Sequence, residues 1–158
     1  MTLQVMRRAG AVALLAVGAV HLQQYYGADY RVIPTVGPLF LLNAISAGAV
    51  ALGMLLPIER LLKERMGHRV VGLLALGAVA IAVGSLIALF IAETSILFGF
   101  SEDGYDTAVV IAIAAEVATT VLLTPVAVAN LVRSFSDRGG AARWLSPHST
   151  PLAGRDRG

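Results

Sequence analysis

The stretch GAVHLQQYYGADYR, residues 18–31, decides how the chain is read. Before it the sequence is almost all Ala, Val, Leu and Gly. Within it a histidine, two glutamines and three tyrosines appear in close succession. This is the pattern of an apolar helix leaving a bilayer. Tyr25, Tyr26 and Tyr30 suit the boundary because a tyrosine has one apolar and one wet end. Gln23 and Gln24 then stand at the waterline. His21, about one turn deeper, is not explained by the boundary alone.

Working outward, the rest of the chain has the same character. Of its 158 residues, 57% are hydrophobic and 14% charged, against roughly 25% charge in a soluble domain. Mean hydropathy is +0.77. A helical span needs about 20 apolar residues. Four segments satisfy that: 8–26, 34–56, 69–98 and 107–132. They predict an all-α membrane protein, a four-transmembrane-helix bundle occupying residues 1–133. Pro34 and Pro38 fit the first turn of the second helix, where their missing N–H groups are harmless.

Charge gives the expected orientation. Eleven of the twelve Lys and Arg residues fall at the amino end, in the second connection or after the last span; Arg31 stands alone on the other side. Both termini are therefore expected in the cytoplasm. Residues 57–66 open with Pro and place Ile58, Leu61, Leu62 and Met66 on one helical face, which predicts an interfacial helix. Residues 134–158, rich in Arg, Gly, Ser and Pro, read as a disordered basic cytoplasmic tail. His68 and His148 fall in these cytoplasmic parts and read as solvated.

Several functions are excluded. The net charge is +2 with no clustered basic face, so nucleic acid is not an expected partner. With no Cys, disulfides, thiolate metal sites and iron–sulfur clusters are ruled out. A single His within the spans leaves no bis-histidine haem pair.

Four polar residues lie inside the spans: His21, Asn43, Glu93 and Glu116. An acid in a span costs about 2.5–3.5 kcal/mol on an insertion scale, so these side chains are expected to point into the bundle. At 1.5 Å rise per residue, His21 and Glu93 lie roughly 7–8 Å, and Asn43 and Glu116 roughly 14 Å, below the outer ends of their helices. All four occupy the outer half, one per helix, and no comparable polar set appears in the inner half. They accompany stripes that allow close helix packing: Leu14 and Gly18; Ala47 and Ala51; Ala80, Gly84, Ala88 and Ala92, with Glu93 next to it and Ser85 two turns below; Ala108 and Ala112. The expectation is one outward-opening polar pocket, with Asn43 and Glu116 at its floor and His21 and Glu93 nearer its mouth. Two carboxylates in one dry pocket would have to share a proton or a cation. One His and two carboxylates could also hold a non-haem metal, but no helical Glu-x-x-His pair is present, so no metal site is assigned.

The segment HLQQYYGADYRVIPTVGPLFLLN (21–43) resembles a pattern in small four-span integral membrane proteins of actinobacteria, through His21, Leu22, Ile33, Pro34, Gly37, Leu39 and Phe40. The four-span layout is similar to that of DoxX-like proteins. The motif covers the first third of the chain. It implies a multi-pass protein of a bacterial inner (plasma) membrane and transfers no catalytic residue. Three functions fit these observations: a pocket for a small ligand or for proton or cation handling; a structural or accessory subunit of a membrane complex; and a membrane-embedded enzyme acting on a lipid-like substrate, with Glu116 as acid/base and His21 as its helper. Expected partners are the lipid bilayer and either further copies of the chain or another membrane protein.

Overall fold

The structure is a computed structural model that describes residues 1–94 and 107–143, with side chains as far as residue 136. Five α-helices make up the bundle: α1 (Leu3–Gly27), α2 (Val36–Leu55), α3 (Ile58–Leu61), α4 (Glu64–Thr94) and α5 (Thr107–Arg143). A 3₁₀ turn, Tyr30–Val32, lies between α1 and α2. Four helices, all but α3, are long and apolar enough to cross a membrane. Among the described residues there is no strand. The protein is an all-α, four-span membrane bundle.

The helices run alternately up and down. α1 packs on α2 and α5, α4 packs on α5, and α2 meets α4 along a thinner seam. Small side chains let the backbones approach. Ala11, Ala47, Ala51, Ala75 and Ala78 are fully buried, with Leu14, Val17, Met54, Val71 and Leu123 filling the space between them. The exposed residues are large and apolar, as lipid-facing surfaces require: Ile45, Leu52, Leu73, Phe90 and Val121 among them.

The ends of the helices depart from the sequence expectation. α1 begins at Leu3, five residues earlier than its apolar run, because Thr2 caps it and accepts from the Val5 N–H at 3.4 Å. α2 begins at Val36, not at Pro34. Thr35 has φ 70° and ψ −50°, and the Val36 N–H donates to the Pro34 carbonyl at 2.9 Å. This is a γ-turn of the rare, strained hand, and it breaks the chain just before the helix.

The interfacial helix expected over 57–66 is two pieces. α3 is four residues long, Leu62 is extended, and Glu64 already begins α4. Ile58 is buried against the bundle, and Leu61, Leu62 and Met66 are exposed, as lipid-facing side chains are. The cause of the break is a close crossing. A Cβ on Gly67 would lie 2.9 Å from the Glu59 Cα, so α3 folds back onto the start of α4. The tail is also corrected in part, since helix continues to Arg143 where disorder was expected from 134. Ser134 is fully buried and extends the packed face of α5 past the apolar run. Residues 144–158, His148 among them, and residues 95–106 lie outside the described residues.

The end of the bundle holding the start of α1 is more polar than its sequence implied. Arg7 is buried. Its Nε donates to the Met54 carbonyl at 2.7 Å, one terminal nitrogen donates to the Leu56 carbonyl at 2.5 Å, and the other pairs with Glu59. Those carbonyls close α2 and lack helical donors. Nearby, His68 is half-buried rather than solvated, and its Nδ1–H donates to Asn130 Oδ1 at 2.9 Å. The Asn130 amide in turn donates to the Val126 carbonyl at 2.9 Å.

Candidate functional site

The opposite end of the bundle, below the Tyr30–Val32 turn, encloses a cavity of about 140 Å³. All four spanning helices line it. α1 contributes Val20, His21 and Gln24; α2 contributes Val36, Leu39, Phe40 and Asn43. α4 adds Ser85, Ala88, Leu89 and Ala92, and α5 adds Ala108, Val109, Ala112 and Glu116. Tyr30 stands over it from the turn. The wall is mostly apolar. Three of its polar residues mark the deep end: Asn43, Ser85 and Glu116 are the lining residues of α2, α4 and α5 farthest from the turn.

Those three form a chain of hydrogen bonds across three helices. The Ser85 hydroxyl bonds the Glu116 carboxylate. Having one hydrogen, Ser85 gives it to Glu116 and accepts from the Asn43 Nδ2. Glu116 is 2% exposed, and its Oε2 has no partner; neither has Asn43 Oδ1. Two acceptor oxygens are thus buried and unmatched at the base of an apolar chamber.

His21 sits higher. Its Nδ1–H donates to the Val17 carbonyl at 2.9 Å, one turn back along α1. That bond fixes the ring and leaves Nε2 as the acceptor of the neutral imidazole. The ring lies against Phe40, with centroids 5.1 Å apart, and Phe40 meets Tyr30 edge-on, also at 5.1 Å. A row of three rings therefore ties α1, α2 and the turn together along the upper wall.

The sequence placed His21, Asn43, Glu93 and Glu116 in one pocket. The structure brings His21, Asn43 and Glu116 to the cavity and leaves Glu93 off its wall. Glu93 is half-buried, with Oε1 unpartnered. The reason is helical phase. The buried face of α4 runs through Val71, Ala75, Ala78 and Ala82, not through Ala80 and Gly84, which are exposed. The α4 residues that line the cavity are Ser85, Ala88, Leu89 and Ala92, and Glu93, one residue past Ala92, is turned about 100° from it. With Glu93 outside, the His-plus-two-carboxylate set of a non-haem metal is not assembled among the described residues.

Three polar lining residues stand outside the expected site: Ser85, Gln24 and Tyr30. Ser85 lies beside the α4 stripe without being assigned to the pocket, and Tyr30 reads from the sequence only as a boundary residue. Gln24, read as a waterline residue, is buried. It stands three positions after His21, on the same face of α1.

Comparison with protein-family models, with curated proteins and with solved structures finds no match to this chain, so its function has to be argued from the cavity itself.

Proposed function

We propose that the chain is a multi-pass protein of a bacterial inner membrane that holds a small, mainly apolar molecule in this cavity, anchored by a hydrogen-bonding end at Glu116 and Asn43. One observation carries the reading: two buried acceptor oxygens without partners, Glu116 Oε2 and Asn43 Oδ1, at the base of a largely apolar chamber. Leaving such atoms unmatched costs about 1–3 kcal/mol each, a cost that a bound molecule removes. Apolar walls with a few convergent polar groups are the usual make-up of a small-molecule site. A carboxylate-to-carboxylate proton relay is less well supported, because Glu93 does not share the cavity. The inner-membrane assignment draws on the four apolar helices and on the resemblance of residues 21–43 to actinobacterial four-span proteins.

The reading is tested by what the purified protein retains. Protein extracted into nanodiscs is expected to carry a small molecule that mass spectrometry detects after denaturation. An Ala112→Phe variant, which puts a phenyl ring into the cavity from α5, is expected to lose it while still migrating as folded protein. Equal retention by both proteins would overturn the proposal.

Orientation belongs to the same proposal. Eleven of twelve Lys and Arg residues favour cytoplasmic termini and a cavity opening outward. The chain has no native Cys, so single cysteines report cleanly. A cysteine at Asp29 is expected to react with an impermeant maleimide in intact cells, and one at Lys63 only after the membrane is opened. The reverse pattern would invert the topology.

A further inference from the structure

The geometry points to a lipophilic primary or secondary amine, bound as its ammonium ion, as the class of ligand the cavity takes. The inference rests on the reading of the cavity as a ligand site and goes on to name the chemistry of the bound end. It follows from which hydrogen-bonding atoms are already committed. Asn43 Nδ2 donates to Ser85, the Ser85 hydroxyl bonds Glu116, and His21 Nδ1–H donates to the Val17 carbonyl. Among the described residues the deep atoms without a partner are Asn43 Oδ1, an acceptor, and Glu116 Oε2, an acceptor in the ionised carboxylate, and the ring nitrogen left on the neutral His21 is an acceptor too. A ligand that satisfies this end must bring donors. A carbonyl or ether oxygen cannot, and a hydroxyl brings one hydrogen to two oxygens. An ammonium brings at least two.

Charge points the same way. Among the described residues no Lys or Arg lines the cavity, so an ionised Glu116 has no counter-ion from them there. A bound ammonium supplies it, and the pair forms where solvent is excluded and a charged hydrogen bond is strong. The apolar part of the ligand then lies along Leu39 and Phe40 on one side and Ala88 and Ala108 on the other. Gln24 and Tyr30 stand nearer the opening and are not needed for the anchor.

Protons compete with such a ligand. Among the described residues the titratable groups facing the site are His21 from α1, Tyr30 from the turn and Glu116 from α5, and the polar residues that α2 and α4 present are Asn43 and Ser85, with Glu93 of α4 off the wall. Protonating Glu116 removes the counter-charge, and protonating His21 adds a repelling one. Both weaken ammonium binding as the pH is lowered.

The test uses three probes of one shape: cyclohexylamine, cyclohexanol and methylcyclohexane. Binding to protein in nanodiscs is measured by equilibrium dialysis against empty nanodiscs. Cyclohexylamine is expected to bind the wild type about ten- to a hundredfold more tightly than cyclohexanol, and to lose that advantage in Glu116→Gln. Asn43→Leu, which keeps the carboxylate, is expected to weaken the amine while sparing methylcyclohexane, and serves if Glu116→Gln does not fold. Equal affinity for amine and alcohol, or an unchanged amine affinity in a folded Glu116→Gln or Asn43→Leu protein, would overturn the amine assignment and leave the cavity a ligand site. No binding of any probe, or binding unaffected by Ala112→Phe, would overturn the ligand site itself.

Discussion

Arg7→Met is expected to lower the stability of the bundle by about 3 kcal/mol, the scale on which a buried, hydrogen-bonded charge pair is broken. The lower end of the usual range applies because the Glu59 side chain is 35% exposed and water screens part of its charge. Much of the loss comes from the Met54 carbonyl, which takes its hydrogen bond from the Arg7 guanidinium and would be left unmatched in a packed site; the Leu56 carbonyl keeps a bond from the Ile58 N–H at 2.9 Å. Arg7→Lys is expected to rescue only part of it, since an ammonium cannot reach two carbonyls and a carboxylate with a planar fork. The neighbouring Arg8 is exposed, and Arg8→Met is expected to change stability by less than about 0.5 kcal/mol. Reversible unfolding in mixed detergent measures all three. Equal loss in the Arg7→Met and Arg8→Met proteins would show that positive charge at this end, rather than the Arg7 clamp, is what matters.

Gly37→Ala is expected to cost about 1–3 kcal/mol and to weaken ligand retention. A Cβ at position 37 would lie 2.6 Å from the Tyr30 carbonyl oxygen and 2.9 Å from the Arg31 Cα. Both are backbone atoms, so no side chain can swing aside. The Tyr30–Val32 turn would have to lift away from α2, breaking the edge-on contact between Tyr30 and Phe40 that closes the upper wall. Gly77→Ala is the matched control. Nothing lies within 4 Å of a Cβ there, and alanine favours helix over glycine by up to about 1 kcal/mol. Thermal unfolding that lowers the Gly37 variant and spares or raises the Gly77 variant is the expected pair of results; equal behaviour would refute the close-approach argument.

The parts of this protein legible in the sequence are those encoded in long averages. Twenty apolar residues in a row define a span whatever their neighbours do, so the four-span bundle could be read directly. The deep placement of Asn43 and Glu116 was also legible, because each lies far from a helix end and shares a phase with small residues. Glu93 was harder. One residue of helix turns the side chain by about 100°, so a wall set by Ser85, Ala88, Leu89 and Ala92 turns Glu93 away although it directly follows the last of them. The helix ends were not legible, for a different reason. Whether Arg7 labels the membrane side or clamps α2 depends on residues 47 and 52 positions away, and no local pattern carries that information. The α3 region failed likewise. Its apolar spacing fits one amphipathic helix, but the crossing of Gly67 over Glu59 is a tertiary fact.

The Arg7 clamp also has a consequence for the order of synthesis. When Arg7 is added to the growing chain, Met54 and Glu59 are still 47 and 52 residues from being made. A guanidinium without partners belongs in the headgroup layer, where it can snorkel, not in a packed helix end. α1 therefore cannot take its final depth as a lone segment. It settles when α2 has crossed back and the first residues of α3 have emerged, so the first 60 or so residues enter the bilayer as a single hairpin unit before α4 and α5 are available to pack on it.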